Sequence, residues 1–160
     1  MLGKKEIVGF KVGKTLADSR DLRDIEIWVA GVLVTQRDGI AHIPSLSGIA
    51  FSESEKVRDF ARFNHYFHGK DEKEIHKFIL GTRISDFDFK DSDEIFAEHQ
   101  VFDWGPNTDY VMCFLVPYRE KLFITISLDG EKESEIQSVE IDEDSLRELL
   151  FNFSIALSRS

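Results

Sequence analysis

Residues 103–128, DWGPNTDYVMCFLVPYREKLFITISL, contain two apolar runs that a short polar connection joins. The first run covers residues 110–116, the second covers residues 122–128, and the connection is PYREK at 117–121. Two apolar runs of strand length on either side of a polar turn predict a β-hairpin. Other strands are then expected to extend the sheet that this hairpin begins.

The two strands of the hairpin have different patterns. In the second strand, four aliphatic residues alternate with Phe123, Thr125 and Ser127, so one face of the strand is aliphatic. The first strand is apolar at every position, which predicts a central strand that is covered on both faces. Just before the hairpin, residues 104–109 combine Gly, Pro, Asn and Asp, which favour a tight turn.

The N-terminal part of the chain predicts further strands. Strand patterns lie at residues 6–12 and 25–34, and the polar residues 15–24 between them are expected to form a loop. Residues 41–46 contain Pro44, which cannot donate a backbone hydrogen bond to a sheet. This segment is therefore expected at a sheet edge or in a loop.

Two helices are predicted in the middle of the chain. Ser52 and Glu55 form a capping box, in which each side chain satisfies a free backbone N–H of the other, so a first helix is predicted to begin at Ser52. Asp71 and Glu74 predict the start of a second helix, which Gly81 ends. Because few residues connect them, the two helices are expected to form a hairpin that covers one face of the sheet.

The chain then returns to strand patterns on both sides of the central hairpin. Residues 84–89 alternate as an edge strand does, and residues 90–94 are predicted to form a charged turn. Residues 95–104 are compatible with pairing to the central hairpin, and residues 136–141 predict a third strand of its meander.

The C-terminal segment has the most regular helical pattern. Apolar residues at 146, 149, 150, 153 and 157 recur with helical spacing behind the acidic opening Asp142-Glu143-Asp144. Together, the elements predict a single α+β domain over residues 1–160. It is expected to contain a mostly antiparallel sheet, with a helical hairpin and a C-terminal helix packed on it.

The sequence is strongly acidic. Its 30 Asp and Glu residues against 20 Lys and Arg residues give a formal net charge of -10. Such a surface repels nucleic-acid phosphates and anionic lipid, which disfavours direct binding to nucleic acid or membrane and favours a basic protein partner. No apolar stretch has the length of a signal peptide or a membrane span, so a cytoplasmic protein is expected.

The sequence contains part of a phosphate-binding motif and a single cysteine, and neither predicts a catalytic site. Residues 13–15, GKT, match the end of a phosphate-binding loop, but Val8 stands where the first glycine is required. A turn at the end of a strand is therefore the favoured interpretation. Cys113 is the only cysteine, which excludes an intramolecular disulfide, and its apolar strand predicts a buried, unreactive thiol.

Three histidines raise the possibility of a metal-dependent hydrolase. His65 and His68 are three residues apart, and with His76 and a carboxylate such as Asp71 they offer potential zinc ligands on neighbouring helices. No complete ligand signature is present, so a surface or helix-end histidine pair is the favoured interpretation.

The acidic residues 86–94 invite comparison with a calcium-binding loop, because Asp86, Asp88, Asp91 and Asp93 supply oxygen ligands. Position 6 of such a loop requires Gly but is Asp91, and position 12 requires Glu but is Ala97. A solvated acidic loop, or one whose carboxylates contact a basic protein, is favoured. The sequence therefore predicts no metal, no cofactor and no enzymatic activity.

Two stretches of the chain resemble a known class of proteins. The turn WGPNTD at residues 104–109, followed by the hairpin, an acidic turn and a Leu-rich C-terminal helix, is similar to bacterial immunity proteins of contact-dependent growth inhibition and other polymorphic toxin systems. Residues 27–31 and 38–45 also look like such proteins, although no single immunity family is assigned. The resemblance implies a non-enzymatic inhibitor that binds the toxin domain of its own locus, often a nuclease.

Charge and position nominate the residues that would bind the toxin. Exposed carboxylates would pair with Lys and Arg of a basic partner, and an aromatic side chain would anchor the contact, because hot spots favour Trp and Tyr. The nominated carboxylates are Asp86, Asp88, Asp91, Asp93, Glu94, Asp103 and Asp109, and the nominated aromatics are Trp104 and Tyr118. A competing hypothesis is a structural adaptor that self-assembles through the sheet edge at residues 84–89.

Overall fold

The computed structural model describes residues 1–84, 90–128 and 135–160. The strands are β1 Leu2–Gly3, β2 Val8–Leu16, β3 Ser19–Val29, β4 Val32–Leu33, β5 Ile40–His42, β6 Gln100–Val101, β7 Val111–Tyr118, β8 Lys121–Leu128 and β9 Gln137–Ile141. The α-helices are α1 Ile43–Glu55, α2 Glu72–Ile84, α3 Ser92–His99 and α4 Glu143–Ser158. Two 3₁₀ segments lie at Phe60–Tyr66 and Gly105–Asn107. No helix in the described ranges is long and apolar enough to cross a membrane.

The strands form two antiparallel sheets, in agreement with the predicted α+β class. The first sheet has the order β1-β2-β3-β4, with β5 also paired to β3, and the second has the order β6-β7-β8-β9. The predicted hairpin is β7–β8, and its two-residue turn places Arg119 and Glu120 at φ values of 50° and 61°. Two positive φ values match the turns that best fit the twist of a hairpin.

The second sheet has a separate hydrophobic core on each face, because side chains along β7 alternate between them. Cys113 and Leu115 belong to the larger core, called the main core here, and Phe114 and Val116 belong to the smaller one, called the second core. In the main core the second sheet packs with the first sheet, α1 and α4. The ring of Phe10 on β2 stacks on that of Phe153 on α4 at 4.1 Å.

The second core lies under α2, α3 and the 3₁₀ helix Phe60–Tyr66. Its buried members are Phe63, Phe67, Ile75, Ile79, Ile95, Phe96, Phe114 and Val116. The 3₁₀ helix and α2 are the two arms of the predicted helical hairpin, and Tyr66 and Phe67 of the first arm contact Phe78 of the second. These three helices, called the second layer here, therefore cover the face of the second sheet that points away from the main core.

The predicted start of the first helix at Ser52 is wrong. Helix α1 begins nine residues earlier, at Ile43, and Ser52 and Glu55 lie in its last turns. Pro44 is in the first turn, where its fixed φ suits a helix and its missing N–H has no partner to lose. The proline that argued for an edge strand or a loop therefore opens a helix, directly after the short strand β5.

Several other boundaries also differ from the prediction. Residues 15–24 are not a loop, because β2 continues to Leu16 and β3 begins at Ser19. The GKT residues therefore lie within a strand and not at its end. Residues 90–94 are not a charged turn, because α3 begins at Ser92. The edge strand predicted at 84–89 lies outside the described residues, except that Ile84 ends α2.

The local signals were correct for α2, α4 and the meander. The Asp71 carboxylate accepts a hydrogen bond from the Glu74 backbone N–H at 2.8 Å, and the Glu74 carboxylate accepts one from the Asp71 N–H at 3.1 Å. Asp142 caps α4 by accepting a hydrogen bond from the Ser145 N–H at 2.9 Å. Strand β9 pairs with β8 as the predicted third strand, and β6 is the only part of residues 95–104 that pairs with the hairpin.

Candidate functional site

The nominated carboxylates on α3 hold that helix against the 3₁₀ helix Phe60–Tyr66. Asp91 accepts a hydrogen bond from the Tyr66 hydroxyl at 2.7 Å, and Glu94 forms an ion pair with Arg62. The bond to Asp91 raises the pKa of Tyr66, because it stabilises the protonated phenol. Asp93 is exposed in the first turn of α3 and forms no ion pair with a described residue. Two of the three nominated carboxylates at the start of α3 are therefore engaged in intramolecular contacts.

The turn before the hairpin has a structural role. Trp104 is 2% exposed and packs against Phe102 with ring centres 4.9 Å apart, so its ring belongs to the main core. The Asn107 side-chain amide donates to the backbone carbonyls of Asp38 at 3.0 Å and Ile40 at 2.8 Å, which fixes the turn to the first sheet. Asp103 and Asp109 flank this turn and are exposed.

The nominated residues do not form one patch. Asp109 precedes β7 and Tyr118 ends it, and a strand of that length spans roughly 25 Å. Asp86 and Asp88 lie outside the described residues. The structure brings Asp91, Asp93 and Glu94 together at the start of α3, on one side of the 3₁₀ helix. Tyr118 lies beside a groove that the same 3₁₀ helix lines.

This groove, called the hairpin-tip groove here, has a volume of about 980 Å³. Three parts of the chain line it: the 3₁₀ helix with the start of α2, the tip of the β7–β8 hairpin, and the junction between β9 and α4. Its apolar lining residues are Phe60, Ala61, Phe67, Ile75, Pro117, Tyr118, Leu122 and Ile141. The remaining lining residues are mostly polar or charged, so the groove could accommodate a partner that offers both apolar and polar groups.

The polar rim of the groove carries both signs of charge. Lys121 forms an ion pair with Glu140 at 2.8 Å, which connects β8 to β9. The guanidinium of Arg119 lies over the ring of Tyr118, 5.1 Å from its centre. Glu120 is exposed at the hairpin turn and has no ion pair with a described residue.

Two more carboxylates reach the rim from the start of α4. Asp142 and Glu143 line the groove beside Glu140. The backbone N–H and the hydroxyl of Ser145 both donate to Asp142, which lowers the pKa of this carboxyl and keeps it ionised. Of all the groove residues, only Tyr118 was nominated from the sequence. The sequence signals that point to the others are the polar hairpin connection and the acidic opening of α4.

The histidines do not converge on a metal site. His76 is fully buried, and its Nδ1 and Nε2 atoms hydrogen bond to Thr125 Oγ1 and Ser127 Oγ, both at 2.8 Å. Burial, with a smaller effect from Lys77, lowers the pKa of His76 to about 4. Among described residues, no group of three or more His, Cys, Asp and Glu side chains could hold a metal ion.

The thiol of Cys113 is the remaining group for which the sequence raised a possible chemistry. The Cys113 side chain is buried as predicted, and burial raises the pKa of its thiol, so the reactive thiolate is disfavoured.

The two helices of the main core expose a pair of aromatic rings. Phe51 of α1 and Phe151 of α4 are 46% and 42% exposed, with ring centres 6.2 Å apart. Two neighbouring rings form only a small apolar patch, and patches of that size are normal on protein surfaces.

Comparison with known proteins found a similar fold, whereas the sequence comparisons found no match. Neither a protein-family model nor a curated protein matches the chain. Among solved structures, the chain is similar to CdiI from Burkholderia dolosa, a contact-dependent growth inhibition immunity protein. The similarity covers 99% of both chains with a TM-score of 0.58 at 12% sequence identity. The resemblance to immunity proteins is therefore confirmed at the level of the fold.

Proposed function

We propose that this chain is an immunity protein that binds a cognate bacterial toxin domain in the cytoplasm and blocks its activity. The observation that supports the proposal is the fold shared with CdiI of B. dolosa. Because the similarity extends over 99% of both chains, it involves the whole fold and not a common substructure. The role is that of an inhibitor that acts by occupying a surface of the toxin.

Charge supports a nuclease as the target of inhibition. A nuclease must be basic where it holds the phosphates of its substrate, and this chain carries a formal net charge of -10. Opposite charges on two partners raise their association rate and make wrong partners unfavourable. Rapid capture is what an immunity protein needs, because a free toxin molecule acts until it is bound.

The described side chains favour binding over catalysis. His76 has both ring nitrogens hydrogen bonded inside the protein, and Cys113 is buried as a thiol. The carboxylates of α3 engage Arg62 and Tyr66 of the neighbouring 3₁₀ helix. These histidine, cysteine and carboxylate groups thus serve structural contacts.

The test is to mix the purified chain with the protein encoded by the adjacent gene. We expect a one-to-one complex on size-exclusion chromatography, and loss of the toxin's nucleic-acid cleavage at equimolar ratio. The association rate should fall as salt rises from about 50 to 500 mM, because salt screens charge attraction. Absence of a complex at both salt concentrations, or a complex that leaves the toxin active, would overturn the proposal. Inhibition of a toxin that does not cleave nucleic acid would retain the immunity function and exclude the nuclease target.

A further inference from the structure

Contacts within and between two walls of the hairpin-tip groove, the hairpin tip and the β9–α4 junction, hold their shape. The Arg119-Glu120 turn has the backbone geometry that a tight hairpin favours. Lys121 and Glu140 tie the hairpin to β9, and the Asp142 cap fixes the first turn of α4. A surface that is already ordered loses little conformational entropy on binding, so it suits a tight and rapid interaction.

The groove offers apolar area that the fold leaves partly uncovered. Tyr118, Leu122, Ile141 and Phe60 are half-buried where they line it. A side chain from a partner that filled the space between Phe60 and Tyr118 would cover this area and exclude water. Aromatic residues in such concave positions contribute most to the affinity of protein interfaces.

The charges on the rim select the partner. Among the cations of the lining, Lys121 is already paired with Glu140, Arg119 covers the ring of Tyr118, and Lys70 lies over the ring of Phe78. The carboxylate of Glu120 is exposed and forms no ion pair within the described part of the chain, and Asp142 is also exposed beside the groove. A basic side chain on the partner would therefore find two exposed carboxylates that form no ion pair with a described residue, of which Asp142 also accepts the two hydrogen bonds of the α4 cap.

The acidic face of α3 offers much less to a basic partner. Glu94 is paired with Arg62, and Asp91 accepts the Tyr66 hydroxyl. Of these three neighbours, only Asp93 has no such contact with a described residue. The two sides of the 3₁₀ helix thus differ: one side has used its carboxylates to attach α3, and the other has an open groove with carboxylates at its rim.

We propose that the hairpin-tip groove is the docking surface for a basic segment of the toxin, which inserts an apolar side chain between Phe60 and Tyr118 and places Lys or Arg against Glu120 and Asp142. The inference rests on the proposed function and assigns it to a surface. The proposed contact surface leaves out the carboxylates that were nominated from the sequence and retains Tyr118 as an anchor. The partner is recognised by a combination of apolar burial and positive charge.

Two variants test the groove without altering the core. Glu120→Lys reverses a charge at the rim, and Ala61→Trp fills the groove from an exposed position on the 3₁₀ helix. Asp93→Lys is the matched control, because it makes the same change in net charge on the other side of that helix. Each variant is first compared with the wild type by circular dichroism and thermal unfolding. Affinity for the protein encoded by the adjacent gene is then measured by surface plasmon resonance.

We expect Glu120→Lys and Ala61→Trp each to weaken binding by at least tenfold, and Asp93→Lys to weaken it by less than about threefold. If the wild type binds and Asp93→Lys weakens binding as much as Glu120→Lys, the groove is not the docking surface. Unchanged affinity of Ala61→Trp would also overturn the assignment. Both results leave the immunity function standing. Absence of binding by the wild type would instead remove the proposed function, and the docking surface with it.

Discussion

The two faces of the second sheet are covered in different ways. The main core contains 23 buried hydrophobic residues in the described chain, and the second core contains 8. The second core also encloses two fully buried histidines, His76 and His99, whereas no histidine is buried among the described residues of the main core. The main core is therefore held by apolar burial, whereas the second core also encloses two imidazoles whose burial favours the neutral form, and one of them, His76, bonds α2 to β8.

The polar contacts of the second core come from alternation along β8. Ile124 and Ile126 point into the main core, and Thr125 and Ser127 are buried on the other face, where both bond to His76 of α2. His99 of α3 bonds through Nδ1 to the carbonyl of Ile95 at 2.7 Å. Burial lowers the pKa of His99, and the charges of Arg58 and Lys56 add to this effect. The bond to Ile95 and the charge of Glu98 oppose it but are outweighed.

The largest expected effect is in the main core. Phe153→Ala should lower the free energy of unfolding by about 3–5 kcal/mol, because it removes a fully buried ring and leaves a cavity beside Phe10. The measurement is urea unfolding followed by circular dichroism. Phe151→Ala is the control on the same helix and should change stability by less than about 1 kcal/mol, because its side chain is partly exposed. Equal losses for the two variants would contradict the packing described for α4.

The next effect should be a loss of stability in acid that originates in the second core. The pKa of His76 is about 4 in the folded protein and 6.5 when solvent-exposed, so the unfolded state takes up a proton first as the pH falls. The contribution of His76 is complete above pH 6.5 and is lost as the pH falls through 4. At pH 4 the loss from this residue should be roughly 3 kcal/mol. Urea unfolding at several values between pH 7 and pH 4 measures it.

Substitution separates His76 from other acid-sensitive groups. Glutamine bonds to two hydroxyls but does not titrate, so His76→Gln should reduce the dependence of stability on pH, whatever its effect at pH 7. His65→Gln replaces an exposed histidine of the 3₁₀ helix and serves as the control. An unchanged pH dependence in His76→Gln would show that the second layer does not rely on a neutral imidazole at this position.

The parts of the fold that the sequence predicts well are those whose causes are local. The β7–β8 hairpin follows from two apolar runs that flank a short polar connection, although the turn itself is shorter than the predicted residues 117–121. Helices α2 and α4 begin at caps whose partners lie three residues away. The failure at Ser52 has a local cause too, because a capping-box pattern also occurs in the last turns of α1. Such a pattern shows that a helix begins only where no helix precedes it.

The site and the second core depend on contacts between distant parts of the chain. His76 finds its partners 49 and 51 residues away in the sequence, which no local pattern reveals. Glu94 meets Arg62 across 32 residues, so a carboxylate that the sequence presents as available is engaged in the fold. The groove is lined by three segments that come together only in the tertiary structure. The composition predicted an acidic protein that binds a basic partner, but it could not show which carboxylates lack an ion pair in the fold.

The smallest expected effect comes from removing one helix cap, either that of α2 in the second layer or that of α4 in the main core. Asp71→Ala removes the cap of α2 and should lower the free energy of unfolding by about 1 kcal/mol. Asp142→Ala removes the cap of α4, which packs in the main core. Native-state hydrogen exchange should then locate each loss, because regions with less buried apolar surface open at lower free energy.

We expect Asp71→Ala to speed amide exchange in α2 and its neighbours of the second layer, with α4 and the first sheet unchanged. Asp142→Ala should speed exchange in the first turn of α4 and leave α2 as it was. Glu72→Ala, one residue beyond the Asp71 cap, controls for loss of a carboxylate near the start of α2. If Asp71→Ala accelerates exchange equally in α2 and α4, the two cores open as a single cooperative unit. In that case their different chemistry would govern the response to pH but not the order in which the protein unfolds.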